Sequence, residues 1–253
     1  MDIKNYLTVV IGGASGLGKA TCDEFFKRKT QIVILDKNIS EARKLAKIYK
    51  GYAFECDISD EKSILSALAK IKKLNKDIRV VINCAGILIS KKIISKDSVH
   101  SLEDFEKVIK INLIGTFNIL RLFGQVMQSN KPTQDNSRGI IICTSSIAAE
   151  EGQIGQIAYS ASKGGVNGMV LTAAREFSRF GIRVNAIAPG IFETPILGNL
   201  NDEFKQRLSS SVLFPKRLGL PLEFGKLAFH LVENDYINGT VIRIDGGVRM
   251  EPK

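Results

Sequence analysis

Apolar runs rich in Val and Ile recur along the chain, separated by stretches in which apolar positions return every three or four residues. The runs are LTVVI (7–11), QIVILD (31–36), YAFECD (52–57), RVVINC (79–84), GIIICT (139–144), RVNAIA (183–188) and GTVIRI (239–244). Most are continuously apolar rather than alternating, as in strands covered on both faces. Between them, EKSILSALAKIKKL (61–74) places Ile64, Leu65, Leu68, Ile71 and Leu74 on one helical stripe. Strands alternating with amphipathic helices predict an α/β fold: a doubly wound, seven-stranded parallel sheet flanked by helices. No internal repeat or low-complexity linker divides residues 1–253, so one domain is expected. QSNKPTQDNSRG (128–139) reads as a polar loop. Residues 191–220 break the alternation with two short helix-like pieces, Pro195 and Pro215, and read as a small substrate-covering lobe.

Composition adds bounds. The chain has 253 residues, 44% of them hydrophobic, enough for a sizeable core. No apolar run approaches the ~20 residues that span a bilayer. The amino terminus enters a strand almost at once, without a basic leader, so a soluble intracellular protein is expected. Cys22, Cys56, Cys84 and Cys143 form no CxxC pair and no metal spacing, and read as reduced core thiols. No metal is expected. The net charge of +10 is concentrated in residues 1–130. Solvated helix faces account for it best. Attraction of an anionic substrate or of RNA is the functional reading, and no aromatic–basic RNA motif accompanies the charge.

VVIGGASGLGKA follows the first strand and opens a helix. Gly12, Gly16 and Gly18 allow a tight turn and close approach to a pyrophosphate, which the helix N-terminus attracts. The second strand ends in Asp36, placed to accept hydrogen bonds from the adenosine ribose and to repel a 2′-phosphate, which favours NAD over NADP. Lys19 and Lys37 leave that preference open. Asp57 closes the third strand and could bond the adenine amine. Asn83, Cys84, Ala85 and Gly86 (NCAG) close the fourth, where backbone approaches the adenosine.

With only His100 and His230 in the chain, histidine acid–base chemistry is poorly supplied. YSASK, on a helix expected over 157–179, puts Tyr159 and Lys163 one turn apart on one face. An ammonium beside a phenol favours the phenolate and lowers its pKa. Ser146 ends the fifth strand and could reach the same carbonyl oxygen, with Ser145 the competing candidate.

Gly12/Gly16/Gly18, NCAG, Asn112 in INLIGTFN, Ser146, Tyr159 with Lys163, and APG (188–190) occur together and in order. The chain thereby resembles the short-chain dehydrogenase/reductase family over essentially its whole length. The resemblance implies a Rossmann-like domain assembled as a homotetramer. It implies that Tyr159 exchanges a proton with the substrate hydroxyl or carbonyl, and that Ser146 holds the substrate oxygen. Lys163 would bind the nicotinamide ribose and lower the tyrosine pKa, and Asn112 would support a water linking Lys163 to solvent. One departure is Ile11, where the family commonly has a threonine that steadies the turn.

GGASGLG, INLIGTFNILRL, EGQIGQIAYSASKGGV, GIRVNAIAPGIFETPIL, FPKRLG and IDGGVRM are similar to one subgroup of that family, the type 2 3-hydroxyacyl-CoA dehydrogenases. So are the lengthened 86–112 segment and the 128–139 loop. This resemblance implies NAD contacts at Ser15, Leu17, Asp36, Asp57, Ile58, Cys84, Tyr159, Lys163, Phe192 and Thr194, beside the glycine turn, NCAG, Pro189 and Gly190. It implies interconversion of L-3-hydroxyacyl-CoA and 3-ketoacyl-CoA, of short or branched chain, with Lys91, Lys92 and Lys96 as candidates for attracting the CoA phosphates. A 3-oxoacyl-carrier-protein reductase, normally NADPH-dependent, and a hydroxysteroid dehydrogenase are the enzymatic alternatives. An RNA-processing scaffold role is the non-enzymatic one and is not favoured. The implied location is the cytoplasm in a bacterium or the mitochondrial matrix in a eukaryote.

Overall fold

The structure is a computed structural model that describes residues 6–195 and 202–252. The Val/Ile runs form seven strands: β1 (Leu7–Ile11), β2 (Gln31–Asp36), β3 (Tyr52–Glu55), β4 (Ile78–Asn83), β5 (Gly139–Thr144), β6 (Ile182–Pro189) and β7 (Val241–Ile244). All pair in parallel in the order β3-β2-β1-β4-β5-β6-β7. Val9 stands between Val33 of β2 and Val81 of β4, so the sheet is wound outward in both directions from β1 and β4. That reversal opens a crevice at the carboxyl ends of the strands, where such sheets bind ligands.

Alternate strand residues face opposite layers. Val9 and Ile11 join a core with α3 (Glu61–Lys72), α5 (Gly115–Met127) and α6 (Ile157–Ser178), while Val10 joins one with α1 (Gly16–Lys27), α2 (Ile39–Ile48) and α8 (Pro221–Glu233). Local chemistry starts these helices. Asn38 accepts from Glu41 N–H to cap α2, Asp60 accepts from Lys62 N–H to cap α3, and Pro221 opens α8. Among the described residues no helix is long and apolar enough to cross a membrane.

Element ends depart from the periodicity for identifiable reasons. β3 stops at Glu55, not Asp57, because its one partner, β2, ends at Asp36 opposite Glu55. β7 starts at Val241 because Gly239, at φ 71°, turns the chain out of the extended conformation. α3 ends at Lys72, and Asn75 follows in the left-handed region. The extended segment after β4 carries a single antiparallel bridge, Ile94 to Val99, before α4 (Leu102–Val108). A π-helical turn, Ile109–Ile114, then joins α4 to α5. In the 191–220 lobe one helix is described, α7 (Asp202–Ser210), and residues 196–201 of the lobe lie outside the described residues.

Candidate active site

The β1–α1 turn can exist only with glycine at two points. Gly12 has φ 71°, and a Cβ there would stand 2.7 Å from Ala85 N. A Cβ on Gly18 would overlap the Gly12 carbonyl oxygen. Glycine thus lets α1 begin hard against the turn, and the turn against the end of β4. At Ile11 the backbone is held by the sheet, with Gly12 N–H donating to Leu35 O at 2.7 Å and Cys84 N–H to Ile11 O at 2.8 Å. Ser15, the N-cap of α1, is extended and its side chain makes no capping bond, so the first N–H groups of the helix face the crevice without an internal acceptor.

The crevice is a cleft of about 560 Å³, walled by Gly12, Ser15, Gly16, Leu17 and Gly18, by Asp36, Asp57 and Ile58, by Cys84, Ala85 and Gly86, and by Thr194. Asp36 accepts Ala14 N–H at 2.9 Å through one oxygen and Asn38 N–H at 2.8 Å through the other. Lys37 pairs with Asp57 at 2.9 Å and Lys19 with Asp23 at 2.9 Å. Burial works against the Asp57 charge, but Ser59 and Lys37 outweigh it and hold the carboxyl below its usual range. All four cysteines are free. Cys84, at the cleft, is pushed up to about 11 by burial and stays a thiol at neutral pH.

A second cavity of about 310 Å³ adjoins the first and shares Leu17, Cys84, Gly86 and Thr194 with it. Ser145, Ser146, Tyr159, Lys163, Pro189, Gly190 and Phe192 line it. Ser146 caps the short 3₁₀ turn Ile147–Ala149, its Oγ accepting Ala148 N–H at 3.1 Å. That leaves its proton to donate, and its hydroxyl hydrogen-bonds the Tyr159 phenol. Ser145 is fully buried and spends its proton on Asn167 Oδ1 at 2.5 Å. The two candidate serines thus differ in where their hydroxyls are engaged.

Tyr159 and Lys163 occupy the first two turns of α6. Lys163 Nζ lies 5.6 Å from the Tyr159 ring centroid and donates to Thr144 O at 2.7 Å. Burial lowers the Lys163 pKa to about 8. The Tyr159 phenol departs from expectation: burial raises its pKa, and the Ser146 hydroxyl only partly offsets this. The reason is geometric. The ammonium is turned to a backbone carbonyl, and the low-dielectric surroundings disfavour the phenolate.

Asn83 and Asn112 are among the expected site residues yet line neither cavity. Asn83 donates to Thr116 Oγ1 at 3.0 Å and accepts Ala85 N–H at 3.2 Å. Asn112, inside the π turn, accepts Ile87 N–H at 2.9 Å and donates to Ile87 O at 2.9 Å and Ser162 Oγ at 3.1 Å. Its side chain is thus engaged with protein partners. Lys91, expected to attract phosphate, pairs with Asp104 at 2.5 Å; Lys92 and Lys96 are exposed, and none of the three lines either cavity. Leu88, Gln153, Gln156, Leu208 and Met250 do line the second cavity, and the motif reading did not single them out.

Residues 7–205 match the short chain dehydrogenase family. The chain is 46% identical over 255 aligned residues to the rat 3-hydroxyacyl-CoA dehydrogenase type-2, covering 99% of this chain and 98% of that protein. It is 44% identical to the Drosophila melanogaster protein of the same name, covering 99% and 100%. The crystal structure of 3-hydroxyacyl-CoA dehydrogenase type-2 from Mycobacterium avium superposes with a TM-score of 0.95 at 36% identity, covering 99% of this chain and 98% of that one. With this sheet order, this glycine turn and this Ser–Tyr–Lys cavity, the chain belongs to the short-chain dehydrogenase family.

Proposed function

We propose that this chain interconverts an L-3-hydroxyacyl-CoA and the corresponding 3-ketoacyl-CoA, using NAD(H). The observation that carries the reading is the convergence of Ser146, Tyr159 and Lys163 on a cavity that opens into a glycine-walled cleft ending at Asp36. The substrate class is taken from the names of relatives that match nearly end to end.

The residues of the cleft fit a dinucleotide. The uncapped N–H groups and positive end of α1 suit a diphosphate. Each Asp36 oxygen accepts one backbone N–H and keeps lone-pair capacity for ribose hydroxyls. A 2′-phosphate would meet that carboxylate, and Lys37, which might have screened it, is paired with Asp57. These features favour NAD. When bound, the nicotinamide supplies or accepts the hydride.

The chain's own residues handle the proton. In the reducing direction the Ser146 hydroxyl donates to the ketone oxygen. Tyr159 delivers its phenolic proton to the same oxygen as negative charge develops there. A raised pKa keeps that phenol protonated and ready as an acid at neutral pH. In the oxidising direction Tyr159 takes the proton back, and the Ser146 hydroxyl is the neighbour that favours the phenolate. Lys163 would hold the nicotinamide ribose. Asn112 acts through Ile87 and Ser162 and is a positioning residue.

The test is a panel followed by nicotinamide absorbance. It offers acetoacetyl-CoA, a 3-oxoacyl carrier-protein thioester and a steroid ketone, each with NADH and NADPH. Acetoacetyl-CoA with NADH should be turned over with the highest kcat/KM. A carrier-protein thioester with NADPH, or a steroid, in first place would overturn the reading.

A further inference from the structure

Met250 reaches the Ser146–Tyr159–Lys163 cavity from the far end of the chain, and an ion-pair knot brings it there. Glu151 Oε1 receives Arg243 Nη1 at 2.8 Å, and Glu151 Oε2 accepts the Met250 backbone N–H at 3.0 Å. Arg243 sits in β7 and also grips Asp245 at 2.8 Å and Glu150 at 3.2 Å. Arg249 adds contacts to Glu151 at 3.4 Å and Asp245 at 3.5 Å. Two further bonds lay the tail along the loop: Gln153 Nε2 donates to Glu251 O, and Ile154 N–H donates to Pro252 O, each at 3.0 Å. The same loop contributes Gln153 and Gln156 to the cavity wall. Burial opposes the Glu151 charge, but Arg243 and the Met250 amide outweigh it and hold the carboxyl below its usual range. One carboxylate therefore ties the last strand, the tail and the 151–156 loop together.

We infer that Glu151 is a positioning residue which, through Arg243 and the Met250 amide, fixes Met250 as the side chain that limits acyl-chain length. The inference rests on the acyl-CoA reading above. Methionine suits such a wall: it is unbranched and fills irregular space in contact with an aliphatic chain. Shortening it to alanine removes three heavy atoms from the cavity lining and leaves the backbone strap in place.

The test uses the full chain and the variants Met250→Ala, Met250→Leu and Glu151→Gln. kcat/KM is measured for four-carbon and ten-carbon 3-ketoacyl-CoA with NADH, and NADH affinity is measured separately. Because pocket space for an extra methylene is worth on the order of tenfold or more in specificity, Met250→Ala should raise the ten-carbon to four-carbon ratio by about tenfold. Met250→Leu should bring the ratio back towards that of the unsubstituted chain. Glu151→Gln should move the ratio in the same direction as Met250→Ala, with NADH affinity retained. An unchanged ratio in Met250→Ala overturns the inference. So does a Glu151→Gln variant that loses both thioesters and NADH alike, the mark of a merely structural role. If the unsubstituted chain reduces neither thioester while binding NADH, the acyl-CoA reading itself falls, an outcome distinct from an unchanged ratio.

Discussion

Replacing Lys163 with methionine should stabilise the protein at neutral pH while removing its activity. The side chain is 4% exposed, and burial takes its pKa from 10.5 to about 8. At ~1.4 kcal/mol per pH decade, keeping that charge buried costs the folded chain about 3 kcal/mol below pH 8. Methionine avoids the charge but forfeits the 2.7 Å bond to Thr144 O. That loss is worth ~1–2 kcal/mol. The net expected gain is therefore ~1–2 kcal/mol at pH 7. The sign follows from linkage. The folded value lies below the unfolded one, so between about pH 8 and 10.5 the unfolded chain binds more protons, and the unsubstituted protein gains stability as pH rises through that window. Above it the charge penalty is gone and only the lost hydrogen bond separates the two proteins, so the variant becomes the less stable one. Urea denaturation of both proteins at several pH values from 7 to 10.5, followed by circular dichroism, reads the difference directly; titrating groups that do not interact with Lys163 cancel in it. A stability difference that stays flat across this range would refute the argument, because the ammonium would then not be titrating from a buried site. Turnover should fall by at least ~100-fold in the variant, as for loss of an acid–base component.

Tyr159→Phe should lower kcat by at least ~100-fold with NADH affinity retained; turnover near that of the parent would remove Tyr159 from the proton step. Asp36→Ala should erode the preference for NADH over NADPH, since the carboxylate that would face a 2′-phosphate is gone; the ratio of kcat/KM for the two dinucleotides decides it, and no change would show that Asp36 does not select. Ser146→Ala should reduce kcat/KM by on the order of 100-fold, the scale of one lost oxyanion donor, and by more than Ser145→Ala, whose hydroxyl is committed to Asn167; the opposite ranking reassigns the serine. Exposed Ile114, Phe117 and Leu171 lie on neighbouring helical segments, and sedimentation should find a tetramer; a monomer at micromolar concentration would count against it.

The sheet was legible because most of the Val/Ile runs are buried on both faces and so need no polar alternation, the edge strands β3 and β7 being only half-buried. Its ends were less legible. The stop of β3 at Glu55 depends on where its neighbour stops, which is a tertiary fact. The glycine turn, Asp36 and the Tyr159–Lys163 spacing were readable because each is local: a turn, a strand end, one helical repeat. Met250, Gln153 and Leu208 were not, because a methionine, a glutamine and a leucine carry no signature until the fold sets them around one cavity. The direction of the Tyr159 shift escaped for a related reason. Adjacency of a lysine on a helix can be read from spacing, but the burial that overrides it cannot.

The two asparagines that touch neither cavity show how the site is held together. Asn83, at the end of β4, donates to Thr116, and Thr116 donates to the Asn112 carbonyl at 2.6 Å. Asn112 donates to Ser162, and Ser162 donates to the Tyr159 carbonyl at 2.7 Å. With Ala85 N–H donating to Asn83, these bonds run from the wall of the cleft to the backbone of the tyrosine. The π turn at Ile109–Ile114 lets it form, because the wider helical turn carries Asn112 at a register where its side chain can clamp Ile87 and reach α6 at once. Buried polar groups wired in this way resist piecemeal change, since removing one strands its neighbours without partners at ~1–3 kcal/mol each. The cleft wall at Ala85 and the backbone of Tyr159 are therefore coupled through these bonds, and under the proposed reaction that coupling, rather than direct contact with either reactant, is what the two asparagines would contribute.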